Sequence, residues 1–183
     1  MAQFIAFDPN VEVNGQTVMT IIRSFPEYMN KIGQELLANN GLQEIHTQGW
    51  YSQQRWLNTF REISLKFGPY TLFAIGKNIP QNAQFPANIS TLEDALNAID
   101  VAYQMNHRLG NIGYYRLRSF SATSGMAVME CHNPYPCDFD RGIIAAMARR
   151  FGKQSNLEVK ADLHKPCRAF GADSSTYLVT WKP

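Results

Sequence analysis

Between Glu130 and Arg150 the chain reads Glu-Cys-His-Asn-Pro-Tyr-Pro-Cys-Asp-Phe-Asp-Arg-Gly-Ile-Ile-Ala-Ala-Met-Ala-Arg-Arg, its densest concentration of reactive side chains. Thiols beside imidazoles open three chemistries. Cys131, Cys137 and Cys167 with His164, or with His132, make a three-sulfur, one-nitrogen set for zinc, although the spacing lacks the Cys-x-x-Cys knuckle. Cys137 with His132, His164 or His107 as base would be a nucleophile of the cysteine-hydrolase kind, without a hydrolase signature around it. Cys131 and Cys137 flank a short loop and would pair if their Cα atoms lie within about 7 Å. Against all three stands the commonest fate of cysteine, a buried and inert thiol.

The loop itself is predicted to be stiff, because Pro134 and Pro136 donate no backbone hydrogen bond and hold their neighbours extended. Cys137 then falls where a helix over 138–151 begins, and unpaired N–H groups there favour a thiolate. Arg116, Arg118, Arg141 and Arg168 are the nearest cations; Arg116 and Arg168 are candidates for clamping an anionic group of a ligand. The bland alternative is a solvated strand face for Arg116 and Arg118 and an ion pair from Arg141 to Asp138 or Asp140. His107, with Asn106 and Arg108 at a helix end, reads as a cation complementing the helix C-terminus.

The elements that must position these groups follow from periodicity. Val18, Ile22, Phe25, Met29, Ile32 and Leu36 recur in steps of four and three, a helical seam interrupted by Pro26, where the helix kinks or two helices meet with Ser24 capping the second. A second helix spans 52–67, with Trp56, Phe60, Ile63 and Phe67 on one face, and a short buried helix follows over 70–76, with 77–88 as loop. Ser90-Thr91-Leu92-Glu93 has the form of a capping box ahead of a helix whose core face is Leu92, Ala95, Leu96, Ile99, Ala102 and Tyr103. From Gly113 the period changes to two: strands over 114–120 and 126–131 form a hairpin, and 157–164 and 175–181 are two further strands after the central helix. The expected fold class is α+β: a helical half, residues 1–110, packed on a four-stranded antiparallel sheet made by a ββαββ half, residues 111–183, as one domain.

Cys167-Arg-Ala-Phe-Gly-Ala-Asp-Ser-Ser-Thr-Tyr177, the ββαββ end and the helical first half together resemble the 4-vinyl reductase domain group, which shares its fold with haem-NO-binding domains and with subunits of the TRAPP vesicle-tethering complex. The resemblance implies a pocket-forming, dimer-prone, sensor-like domain that binds a small hydrophobic ligand, a tetrapyrrole or another flat apolar molecule, and points away from an enzyme. The family pattern has a second cysteine eight positions after Cys167, where this chain has Ser175, a poor zinc ligand. Haem-NO-binding relatives hold haem propionates with Tyr-x-Ser-x-Arg; Tyr115-Arg116-Leu117-Arg118-Ser119 lacks that spacing, so haem binding is not carried over. The pocket is expected between the second helix and the hairpin, lined by Trp56, Phe60, Tyr115 and Met129, with zinc on the cysteines as the rival cofactor. A third reading is a dimeric interaction module.

Composition bounds the rest. Charged residues make up only 17% of the chain, leaving surface for an interface, while a net charge of +2 without long like-charge runs argues against nucleic acid. No apolar run approaches the roughly 20 residues of a membrane span, and the N-terminus lacks a leader pattern, so a cytoplasmic protein with reduced thiols is expected. The apolar seam of the first helices is the expected contact of a homodimer.

Overall fold

A computed structural model of the chain describes residues 3–153 and 156–182, with the side chain of Met29 outside the described residues. Its centre is a four-stranded antiparallel sheet in the order β4-β5-β7-β6, formed by β4 (Tyr114–Ser121), β5 (Met126–His132), β6 (Glu158–Ala161) and β7 (Ser175–Thr180). Alternation along β5 and β7 turns Ala127, Met129, Cys131, Ser175, Tyr177 and Val179 inward. Register then sets Tyr115, Cys131 and Ser175 side by side across three strands at one end of the inner face.

Helix α7 (Cys137–Phe151) packs on this face, with Asp138 and Asp140 in its first turn and Arg149 and Arg150 in its last, both matched to the helix dipole. Helix α6 (Leu92–Met105) buries all six residues of its predicted face. The capping box lies one residue on from the expected one: Thr91 accepts from the Asp94 N–H, and the Asp94 carboxylate accepts from Thr91. Helix α4 (Gln53–Phe67) starts on Ser52 and stops at Gly68, whose φ of 78° suits a residue without a side chain.

Helix α5 (Pro69–Asn82) corrects the predicted short helix and loop: it runs on through Pro80, whose fixed φ suits the last turn at the cost of one backbone bond. Its face is also less buried than expected, with Tyr70 exposed. Helices α5 and α7 meet at Gly76 and Gly142, where an added Cβ would lie 2.1 Å from the Phe139 carbonyl oxygen and 2.3 Å from that of Phe73, respectively.

The first helical run is α1 (Gly15–Val18), α2 (Thr20–Ser24) and α3 (Asn30–Asn39); Pro26 does break it between α2 and α3, while α1 and α2 already part at Met19. Ser24 is not a cap: its hydroxyl donates back to the Thr20 carbonyl. The seam faces inward. Val18, Phe25 and Leu36 are buried and Ile22 and Ile32 pack against the core, so most of this stripe is turned to the protein's own interior. A second, three-stranded sheet, β2-β1-β3, joins β1 (Glu12–Asn14), β2 (Trp50–Ser52) and β3 (His107–Arg108). No described helix is long and apolar enough to cross a membrane.

Candidate functional site

The sheet end carrying Tyr115, Cys131 and Ser175 faces the first turn of α7, and a buried ion pair joins the two. Arg168, in the connection to β7, is 2% exposed and Asp140 is fully buried. The guanidinium donates through Nη2 to Asp140 Oδ2 and through Nη1 to the carbonyl and Oδ1 of Asn133 and to the Tyr135 carbonyl. Asp140 Oδ1 accepts the Tyr115 hydroxyl at 2.5 Å. Burial pushes the Asp140 carboxyl up to about 6 against the pull of Arg168, while Arg168 is held well above its usual range by Asp140 once its own desolvation is overcome. Every polar group of this knot is answered, as buried charge requires.

On the other side of Tyr135 lies a second network. His107 is buried, with Nδ1 at 2.8 Å from the Tyr103 carbonyl and Nε2 at 2.6 Å from the Tyr135 hydroxyl. A carbonyl only accepts, so Nδ1 carries the proton and Nε2 receives that of Tyr135. Gln53 Nε2 donates to the same Tyr135 oxygen. Burial lowers His107 to about 4, only partly offset by the Tyr103 carbonyl; it is therefore a neutral core residue, not the helix-end cation the sequence suggests.

A cavity of about 40 Å³ lies between α4, α5, α6 and α7, lined by Trp56, Ile99, Tyr103, His107, Tyr115 and Tyr135 among others. Of the residues proposed for a pocket, Trp56 and Tyr115 line it. Phe60 and Met129 do not; both are wholly buried in the surrounding core. Among the described residues the buried Trp56 Nε1–H has no acceptor and Gln53 Oε1, from the same helix, has no donor. Trp50 and Tyr51 belong to β2, away from this wall, with Arg108 stacked over Trp50 at 4.4 Å.

The thiols sit at the edge of the knot. Cys137 and Cys167 face each other with sulfurs 3.5 Å apart, and the Ser175 hydroxyl lies 3.1 Å from Cys137 Sγ and 3.6 Å from Cys167 Sγ. Gln3 Nε2 donates to Cys137 Sγ at 3.0 Å. The close pair is therefore Cys137 with Cys167, not with Cys131, which is buried on β5. His164 is exposed, and among the described residues no group of three or more His, Cys, Asp or Glu is arranged to hold a metal ion. The predicted thiolate at the start of α7 is reversed: burial pushes Cys137 up. Cys167 is burdened by burial too, but the Ala169 N–H, the Ser175 hydroxyl and Cys137 bring it below the usual thiol value.

Arg116 is exposed and stacks over Tyr114 at 4.4 Å, Arg118 pairs with Glu130, and Arg141 pairs with Asp138, so none of the three clamps at the cavity. Arg168 clamps the protein's own Asp140. Asn133, Asp140, Gln53 and Tyr135 were not singled out as site residues; Asn133 and Tyr135 lie in the Pro-flanked loop that was.

No family model and no curated protein matches the chain. Among solved structures, a Cs H-NOX mutant with 4-cyano-L-phenylalanine at site 5 matches with a TM-score of 0.65 at 15% identity, over 93% of this chain and 97% of that one. This is the H-NOX fold. An H-NOX protein in which the function of heme distortion was probed gives 0.61 at 15% identity, covering 93% and 95% of the two chains. An oxygen-binding H-NOX domain related to soluble guanylate cyclases gives 0.60 at 16%, with the same coverage. The likeness to haem-NO-binding domains thus stands at the level of fold, and the 4-vinyl reductase name gains no support of its own.

Proposed function

We propose that the chain is a sensor-type, small-molecule-binding domain, taking residues 1–183 as one unit, whose ligand occupies the cavity between α4, α5, α6 and α7. The observation that carries this is the indole N–H of Trp56, a cavity-lining residue: a buried donor without an acceptor among the described residues, in an otherwise apolar lining whose other hydrogen-bonding groups have partners.

The H-NOX fold raises haem as the ligand, and the residues present do not fit it. The cavity holds about 40 Å³, against the roughly 300 Å³ or more that even a drug-sized ligand requires. His107 Nε2 is engaged by Tyr135, and the Arg168 guanidinium is already neutralised by Asp140. Nowhere does the chain carry Tyr-x-Ser-x-Arg. What suits the space is a compact apolar molecule of a few heavy atoms, with one acceptor for Trp56.

Xenon NMR on the full chain tests this. Saturable xenon binding that shifts the Trp56 indole resonance and disappears in Ala102→Leu, which fills the cavity, is expected. Uptake that rises linearly and ignores Ala102→Leu overturns the proposal. Incubation with hemin should give no intense Soret band; a band that depends on His107 would overturn the exclusion of haem.

A further inference from the structure

We infer that Cys137 and Cys167 are a redox-active dithiol that a peroxide converts to an intramolecular disulfide. Their sulfurs are already 3.5 Å apart, both side chains are partly exposed, and both thiols are free. Closing to a bond of about 2 Å is within the reach of side-chain rotation.

The pair is held in position by the knot behind it. Arg168 follows Cys167 in the chain and is anchored on Asp140, one turn beyond Cys137 on α7. The Tyr177 hydroxyl donates to the Cys137 carbonyl at 2.8 Å from β7. Two segments thirty residues apart are thus pinned by buried polar bonds with their thiols facing, so little conformational freedom remains to be lost on crosslinking.

The surrounding donors assign the roles. Ser175 Oγ accepts from the Arg168 backbone N–H at 3.0 Å, which turns its own hydrogen towards a sulfur. With the Ala169 N–H this favours the anion on the less buried Cys167, whereas at Cys137 the donation from Gln3 Nε2 at 3.0 Å and the nearness of the Ser175 hydroxyl at 3.1 Å are outweighed by burial, which keeps that thiol protonated. The Cys167 thiolate attacks a peroxide oxygen; the O–O bond breaks, the departing hydroxide takes a proton to give water, and Cys167 becomes the sulfenic acid. Cys137 sulfur then attacks Cys167 sulfur, the S–O bond breaks, and hydroxide leaves with the Cys137 proton as a second water. Two thiols are oxidised and one hydrogen peroxide is reduced to two waters.

The test is to treat the reduced full chain with stoichiometric hydrogen peroxide, count thiols under denaturation and map peptides without reduction. The expected result is a fall from three thiols to one, a mass loss of two hydrogens and a 137–167 crosslinked peptide, formed faster than glutathione is oxidised under the same conditions. Cys131→Ser should keep the crosslink, Cys137→Ser and Cys167→Ser should each lose it, and Ser175→Ala should slow it several-fold while shifting its pH midpoint upward. Added oxygen without loss of two hydrogens, a crosslink between chains, or a rate no faster than glutathione overturns the inference. The wild-type peptide map alone decides it if a variant does not fold.

Discussion

Two polar networks meet at Tyr135 and differ in completeness. On one side, the buried side chains of Arg168, Asp140, Asn133 and Tyr115 are all partnered, by one another and by Tyr135 and Ser175. On the other, the His107–Tyr135–Gln53 chain ends at a Gln53 oxygen that, like the Trp56 N–H on the same helix, has no partner among the described residues. Both are buried, so burial alone does not separate structure from site. A saturated network has nothing left to offer a ligand and acts as a clamp, whereas an unsaturated one leaves a recognition group in place.

The sharpest break of this contrast is Asp140→Ala, which strands the Arg168 charge and should cost about 3–5 kcal/mol in urea denaturation. Asp140→Leu with Arg168→Met should recover most of that loss, because both charges leave together. If the single variant is tolerated, the knot is not a clamp.

Acid probes the other network. Unfolded His107 takes a proton near pH 6.5, the buried one only near 4, so protons favour the unfolded chain and stability falls as pH drops through that window. The shift corresponds to up to about 3 kcal/mol. Asp140 works in the opposite sense: raised from 3.8 to about 6, its burial cost is relieved as pH falls across that range. His107→Gln should abolish the first slope and leave the second, so its stability relative to wild type should climb steadily from pH 6.5 to 4; parallel curves would refute a neutral buried imidazole.

Smaller effects follow. Trp56→Phe should cost only about 1–2 kcal/mol, since losing an unanswered N–H offsets part of the lost packing, and it should weaken xenon binding least among cavity variants. Arg118→Ala, at the exposed pair with Glu130, should leave the denaturation midpoint unmoved, in contrast to Asp140→Ala.

The ββαββ half was legible because alternation and turn residues are local signals, as is the α6 cap in the helical half, and alternation is what puts Tyr115, Cys131 and Ser175 on one sheet face. The β1–β2–β3 sheet was not: strands of two or three residues are too short to alternate. The extension of α5 hid behind Pro80, which usually ends a helix. The seam was read correctly as apolar, but a stripe facing its own core and one facing a twin have the same period. The thiol pair and the ion pair join residues about thirty apart, a proximity no spacing encodes. The family-like segment at Cys167 nevertheless pointed to their neighbourhood.

The crossing of α5 and α7 at Gly76 and Gly142 has a meaning for the cavity. Ile79 on α5, Ala83 just past its end, and Phe139 and Ile143 on α7 all line it, and all lie within about two turns of the crossing. A methyl group at either glycine would meet a backbone carbonyl near 2 Å, closer than a side-chain shift can relieve, so the helices themselves would part. The gauge of the chamber is therefore set by two residues that contribute no side chain to it. Gly76→Ala is a wedge that would widen the chamber and alter which molecules it admits, without changing a single residue of its lining.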